Sequence, residues 1–501
     1  MEKVFHLKEL GTNVRTEVVA GLTTFFTMAY ILVVNPMILS QTGMPHDAVF
    51  VATIIASVIG TLIMAFVANV PYALAPGMGL NAFFTFTVCF AMGFTWQQAL
   101  ALVLICGIIN TIITFSGLRK AIIRVMPRIL QAAVSGGIGM FIAYIGFKDM
   151  GIFKFTAEGP FLSVLPALDG PGTIAGPAGS LGDTVVAGAG AVPALVNFSN
   201  PALLLGLFGL ILMIVLLVKK VKGAILIGIL VTTFIGIVID ASGILGKDAT
   251  GQAIALTGLS SVSISGDSFV KSITSIQETA FKIDFLGLWS DPAKVMLAIT
   301  ASVGFVLTDI FDCIGTFIGT GRKSGIFDEK DWKRFEEGGN FNSRLDRALV
   351  ADLTATTVGA FVGTSNTTTY VESSAGIAEG GRSGLTAVVV AILFAICIIF
   401  APVVGVVPSA AVAPALVVVG AMMMSAFADI DWKKLEIAVP CFLAAVMMPL
   451  AYSITTGIAF GFISYVLIKL VTGKVKEVHV VAWVVTALFL GNYILQAVYH
   501  I

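Results

Sequence analysis

Charge is what this chain has least of. Only 12% of its residues are Asp, Glu, Lys or Arg, where a soluble globular chain carries about 25%. A larger soluble core does not explain the deficit, because a globule of any size must still cover its surface. The two signs balance at 29 residues each, which leaves no excess positive charge for a nucleic-acid partner. Cysteine is scarce. Cys89, Cys106, Cys313, Cys397 and Cys441 all sit in apolar runs without CxxC spacing, so they read as small hydrophobes and not as a disulfide frame or metal site. The four histidines fall at segment ends or in loops, and HExxH, GxSxG and GxxxxGK[ST] patterns are all missing. Their absence argues against a zinc protease, an elbow-type serine hydrolase and a built-in ATP motor. No enzyme activity, cofactor or metal is expected. A secretory signal is lacking too: Met1 to Glu17 mixes acids and bases, and the first apolar run is too long for a signal core. That run is read as a retained first span.

What is there is length and apolarity: 501 residues, 57% of them hydrophobic. A bilayer core of roughly 30 Å needs about 20 apolar residues in a helix. Fourteen runs of that kind lie near 19–40, 51–69, 72–93, 97–116, 129–147, 201–218, 222–241, 295–320, 347–363, 366–378, 384–406, 410–427, 436–452 and 453–472. The fold class expected is an all-α integral membrane protein of about 14 transmembrane helices. A further apolar run at 479–499 reads as a fifteenth span, a re-entrant piece or an interfacial helix.

Lys and Arg collect in short cytoplasmic loops. Lys3, Lys8 and Arg15 precede the first span and set the N-terminus inside. The even-numbered loops then carry Arg119, Lys120, Arg124 and Arg128; Lys219, Lys220 and Lys222; Arg322, Lys323, Lys330, Lys333, Arg334, Arg344 and Arg347; Arg382; and Lys433 with Lys434. Only the loop around Asn69 to Pro71 lacks a base. The loops 148–200 and 242–294 fall outside and are rich in Gly, Ser, Ala and Pro. The segment Arg322 to Arg347, with Trp332, reads as a solvated loop with an interfacial helix. A multi-pass protein of the cell membrane with a cytoplasmic N-terminus follows.

Seven spans precede 242–294 and seven follow it. An odd number per half makes the second half run in the opposite sense, the arithmetic of an inverted repeat. The division is 1–18 as cytoplasmic N-terminus, 19–241 as the first repeat, 242–294 as an extracytoplasmic loop, 295–472 as the second repeat, and 473–501 as the C-terminal apolar segment. The third span of each half is the unusual one. One contains Ala75-Pro76-Gly77-Met78-Gly79-Leu80-Asn81-Ala82, the other Gly363-Thr364-Ser365-Asn366 through Glu372-Ser373-Ser374-Ala375-Gly376. Both are poor continuous helices. Irregular backbone at membrane depth survives only where it lines a cavity or is buried in protein, and matched breaks in the two halves point to a substrate site.

Acids inside spans are few and costly when charged, so they mark function by default. Glu372 lies in the second break. Asp309 and Asp312 lie in the eighth span, three apart and so on one helix face. A carboxylate that exchanges a proton is what proton-coupled transport needs; a polar network that merely joins helices is the plainer alternative. Asp352, beside a basic loop, reads as structural. Asn81 offers a donor and an acceptor, which suits the edge of a heterocyclic base or the cap of a half-helix. Thr367, Thr368, Thr369 and Ser373 either bind a ligand or satisfy broken-helix carbonyls. Met422, Met423 and Met424 read as gap-filling core, and Ser135-Gly136-Gly137-Ile138-Gly139 as a close helix contact.

Four stretches in order carry a resemblance: Gly21 to Tyr30 with Val34-Asn35-Pro36, Ala75 to Phe84, Asp309 to Thr316, and Thr364 to Ile377. Together they resemble the AzgA-like branch of the nucleobase:cation symporters, the hypoxanthine/guanine and adenine permeases, over about Lys3 to Thr472. The resemblance implies a 7+7 inverted repeat with a core domain (19–116 plus 295–406) and a gate domain (129–241 plus 410–472), and broken third and tenth spans. It implies purine uptake coupled to H+ or Na+, with substrate between the broken helices. On it, Glu372 binds the base, Asn81 is the asparagine of the first break, and the supporting acid falls on Asp309 or Asp312, with Asp312 the better fit to an acid-then-glycine pattern. Thr368, Thr369 and Ser373 complete the expected substrate site. Asp312, Asp309 and Glu372 are the expected proton-coupling groups. A homodimer is open, because the scaffold often dimerises in relatives. The alternative function is a carrier of another small solute or anion on the same scaffold.

Overall fold

A computed structural model describes residues 2–116, 128–157, 191–245, 255–259, 266–290, 292–321, 324–329, 331, 334 and 343–499. Arg119, Lys120, Arg124, Arg322, Lys323, Lys330, Trp332 and Lys333, on which part of the loop reading rests, lie outside the described residues.

The first span is two helices, α1 (Val14–Met28) and α2 (Ile31–Ser40), that meet at Ala29–Tyr30. It starts earlier than its apolar run because the Asn13 side chain accepts from the Thr16 N–H and caps the first turn. α3 (His46–Ile63) follows and continues in a wider π-type turn over Met64–Ala68. The third span is a short strand, β1 (Leu74–Pro76), then a one-turn helix, α4 (Met78–Ala82), which widens over Phe83–Ala91. α5 (Trp96–Phe115) and α6 (Arg128–Asp149) come next. A hairpin of β2 (Phe153–Ala157) and β3 (Ala191–Leu195) precedes α7 (Pro201–Val218) and α8 (Ala224–Ser242).

The second half follows the same plan. After α9 (Gly266–Thr274) come α10 (Pro292–Thr316) and α11 (Arg344–Val362). Then β4 (Thr367–Thr369) and the short α12 (Ser373–Ala378) form the second interrupted span. α13 (Gly384–Ile396), α14 (Ser409–Met423), α15 (Leu435–Leu450) and α16 (Ile454–Val471) complete the half, and α17 (Val480–Tyr499) packs against α16 and α10. The apolar run at 479–499 is thus a helix. Among the described residues nine helices are long and apolar enough to cross a membrane, and others are shorter apolar pieces.

The helices sort into two packing groups. α11 lies on α3 and α5, α13 lies on α1 and α3, and α10 lies on α5. Separately, α14 lies on α6 and α7, and α15 lies on α6 and α16. In this second group Gly139 and Gly420 let two backbones touch. A Cβ at Gly139 would stand 2.6 Å from the Gly420 carbonyl oxygen, so the small-residue stretch at 135–139 serves close helix contact. Joining the halves at their centre, β1 and β4 pair antiparallel, with Leu74 opposite Thr369, Ala75 opposite Thr368 and Pro76 opposite Thr367. This ladder supplies hydrogen bonds that the interrupted helices cannot make for themselves in an apolar setting.

Among the buried acids outside the expected set is Glu17. It is fully buried and accepts from the backbone N–H groups of Arg382 at 2.8 Å and Thr386 at 3.1 Å, and from the Thr386 hydroxyl at 2.6 Å. Its charge meets the N-terminal end of α13, where unpaired N–H groups and the helix dipole favour an anion.

Candidate functional site

The two interrupted spans cross at the β1–β4 ladder, and the polar residues of both halves converge there. The Gly77 N–H donates to the Asn366 carbonyl at 2.9 Å. The Tyr370 N–H donates to the Ala73 carbonyl at 3.0 Å, and its hydroxyl donates to the Pro76 carbonyl at 2.6 Å. Glycine at 77 keeps this packing close: a Cβ would stand 2.9 Å from Thr368 Oγ1 and 3.4 Å from Asp312 Oδ2. The crossing is therefore a packed unit in which side chains are aimed by paired backbone.

Each expected site residue has a definite place around it. Glu372 is half-buried at the residue before α12, with Val371 on one side 51% exposed. Its Oε1 accepts from the Tyr30 hydroxyl at 2.6 Å. Asp312 is half-buried on α10 and accepts from the Thr368 hydroxyl at 3.0 Å. Asp309, one turn earlier on that helix, is fully buried. It accepts from the Asn110 amide at 2.8 Å, the Asn366 amide at 3.3 Å and the Thr356 hydroxyl at 3.4 Å.

The remaining polar residues bond mostly to other side chains, and Ser373 to backbone. Thr369 donates its N–H and its hydroxyl, each at 2.8 Å, to Asp352 Oδ1, which ties β4 to α11. Ser373 Oγ accepts from the Ala73 N–H at 3.0 Å. Asn81 lies inside α4 and its carbonyl oxygen accepts from the Ser365 hydroxyl. The α4 cap is Gly77, so Asn81 links the two breaks and does not cap the half-helix. The methionines divide: Met423 is half-buried and packs against the main core cluster, Met424 is half-buried, and Met422 is exposed.

Sequence reasoning did not single out Tyr30 as a site residue. It lies in a stretch quoted only for resemblance, and a tyrosine in an apolar run carries no sign that its hydroxyl meets an acid 342 positions on.

One cavity touches the crossing and a second lies apart from it. The first, of ≈ 20 Å³, is lined by Gly79, Leu80, Thr308 and Asp312 from one packing group and by Val134, Ser135, Ile138 and Met423 from the other. It has room for about one water. The other, of ≈ 650 Å³, opens at the ends of α2, α6 and α14 and is lined by Val33, Met37, Gln41, His46, Asp47, Asp149, Ser409 and Val412 among others. Val33, Met37 and Gln41 follow Tyr30 at helical spacing and so mark one face of the same span.

Comparison with known proteins adds the following. The sequence matches the profile of the Permease family with the xanthine/uracil label over residues 15–170 and 178–460. It is 39% identical over 491 residues to the guanine/hypoxanthine permease PbuO of Bacillus subtilis (strain 168), covering 97% of this chain and 98% of that protein. It is 36% identical to the adenine permease AdeP of Escherichia coli (strain K12), covering 98% and 95%. Among solved structures, the transmembrane domain of the cyanobacterial bicarbonate transporter BicA aligns with a TM-score of 0.55 at 14% identity, covering 88% of this chain and 96% of that one. SLC26A9 aligns with a TM-score of 0.55 at 13% identity, covering 92% and 66%. At these identities the structural likeness speaks to the fold, an inverted repeat with core and gate groups.

Proposed function

The chain belongs to the xanthine/uracil permease family, and on that premise we propose that it is a secondary transporter that imports purine bases together with a proton. Hypoxanthine and guanine are the first candidates and adenine the next, because relatives matched over nearly their whole length are permeases for those bases. The observation that carries the reading is Glu372, a half-buried carboxylate at the crossing of two interrupted helices. A purine presents ring and exocyclic N–H donors along one edge, and a carboxylate held at mid-membrane accepts them in a setting where each such bond is strengthened by low dielectric.

In this reading Glu372 accepts from the base, and Asp312 with Thr368 completes the polar wall on α10 and β4. The residues that line the smaller cavity divide between core (19–116 plus 295–406) and gate (129–241 plus 410–472). A base does not enter ≈ 20 Å³, so uptake requires the two groups to separate and close around it in turn, as alternating access requires. With the N-terminus in the cytoplasm of a cell-membrane protein, the ≈ 650 Å³ crevice opens outward, with Gln41, Met37 and Val33 of the first span in its wall. A proton taken up with the base neutralises an acid that is costly to carry across the bilayer as an anion.

A carrier of anions on the same scaffold would place a cation at the crossing. Among the described residues the ionisable groups there are Glu372, Asp312, Asp309, Asp352 and tyrosines, which favours a neutral base over an anion. Uptake of labelled hypoxanthine, guanine and adenine by cells that lack their own purine carriers tests the proposal. Saturable uptake that collapses with a protonophore is expected. Uptake driven by a sodium gradient alone replaces the proton by sodium, and absence of uptake for all three bases overturns the reading.

A further inference from the structure

Tyr30 is fully buried at the joint between α1 and α2. It reaches across from the first span to the tenth, and its hydroxyl donates to Glu372 Oε1 at 2.6 Å. A tyrosine hydroxyl buried in a membrane protein needs a partner, and nothing in packing alone requires that the partner be the acid at the substrate crossing. The neighbouring tyrosine shows the contrast, since Tyr370 gives its hydroxyl to the Pro76 backbone carbonyl.

We propose that Tyr30 is a positioning residue for Glu372: it holds one carboxylate oxygen so that the other is presented to the base, and it sets the pH at which that carboxyl gives up its proton. This rests on the purine-transport reading and deepens it. With Oε1 held, the carboxylate cannot swing freely about its last torsion, so less rotamer entropy is lost when a base binds. A hydroxyl donates more strongly to a carboxylate than to a neutral carboxyl. The carboxylate is the form that accepts from purine N–H groups. Tyr30 keeps its own proton throughout, and the proton that moves is the one on Glu372. The titratable groups that bear on Glu372 among the described residues are Tyr30, Tyr370 and Asp312, none of them a cation. Tyr370 is occupied by Pro76 and Asp312 by Thr368, which leaves Tyr30 as the side-chain donor that meets Glu372.

The test is Tyr30→Phe, which keeps the ring and removes only the hydroxyl. Hypoxanthine uptake is measured in proteoliposomes against pH, and KM is separated from maximal rate. Without the donor, the pH profile of proton-coupled uptake is displaced from that of the unaltered protein. KM rises roughly tenfold while maximal rate changes little. A second, substrate-free readout is the infrared band of the protonated Glu372 carboxyl, identified by its loss in Glu372→Gln. This band titrates at a different pH in Tyr30→Phe from that in the unaltered protein. Superimposable pH profiles and infrared titrations in the two proteins overturn the proposal, whatever happens to the amount of folded protein. Failure of the unaltered protein to take up any purine overturns the functional reading instead, and the infrared titration then decides the Tyr30–Glu372 coupling on its own.

Discussion

Asp309 and Asp312 share one helix and one face of it, yet they are held differently. Asp309 is sealed in the protein among Asn110, Asn366 and Thr356. Asp312, one turn on, is half-buried, takes the Thr368 hydroxyl and lines the small cavity between the two packing groups. The first is surrounded by donors that lose their acceptor if it changes. The second faces the space that a ligand has to occupy.

That contrast separates two mutants. Asp309→Ala leaves buried amide and hydroxyl donors without an acceptor, at about 1–3 kcal/mol for each. A clear drop in melting temperature and in recovered folded protein is expected. Asp312→Asn leaves those groups untouched, so its melting curve stays near that of the unaltered protein while uptake falls by roughly tenfold or more. Thermal unfolding in detergent beside purine uptake in vesicles reads both. Equal stability loss in the two mutants would contradict the assignment.

Glu372→Gln keeps the shape of the side chain and an oxygen to accept from Tyr30, and removes the ability to exchange a proton. Uptake is expected to lose its dependence on the proton gradient. Any residual purine movement should be exchange of base for base, with a flat pH profile. Retained uphill uptake would remove Glu372 from the coupling step.

Gly77→Ala places a methyl group 2.9 Å from Thr368 Oγ1 and 3.4 Å from Asp312 Oδ2. Backbone on both sides is pinned by the strand ladder, so the neighbours cannot give way easily. Overpacking of this kind costs about 1–3 kcal/mol. Base affinity should suffer more than stability, because the displaced atoms are those of Thr368 and Asp312. Binding of a purine to purified protein, compared with its melting temperature, checks the order of the two effects.

The large crevice gives a test of sidedness. Ser409 lines it. Ser409→Cys, in a chain with Cys397 replaced by Ala, should react with a membrane-impermeant thiol reagent added outside intact cells, and the reaction should block uptake. Labelling only from the cytoplasmic side would reverse the orientation read from the basic loops.

Much of the fold was legible in the sequence because the bilayer imposes one dominant rule, a long apolar run for each span. The breaks were legible for a related reason: Gly77, Gly79 and the run Thr364 to Thr369 have too little helix preference to cross unaided. The partners of the site were less so. Nothing near Tyr30 announces Glu372, and nothing near Asn81 announces Ser365, since each contact joins residues from opposite halves of the chain. Glu17 was hidden for another reason. The residues before it mix charges and polar groups, so it reads as the end of a solvated tail, whereas it is sealed beneath α13. Met422 misled in the opposite direction: apolar composition suggests interior, but this residue is exposed, and a lipid-facing surface is apolar too.

The strand ladder also bears on how the protein is made. Leu74 to Pro76 leave the ribosome long before Thr367 to Thr369, their partners. Until the later strand arrives, the earlier one lies in an unfinished half with donors and acceptors unpaired, a state the lipid interior penalises heavily. The first half must therefore wait in a shielded or shallow position, at the translocon or under a chaperone, and only completion of the tenth span lets it seat. Substitutions that slow synthesis or insertion of the second half should then harm the first, and degradation of the nascent chain should track the time spent without its partner strand.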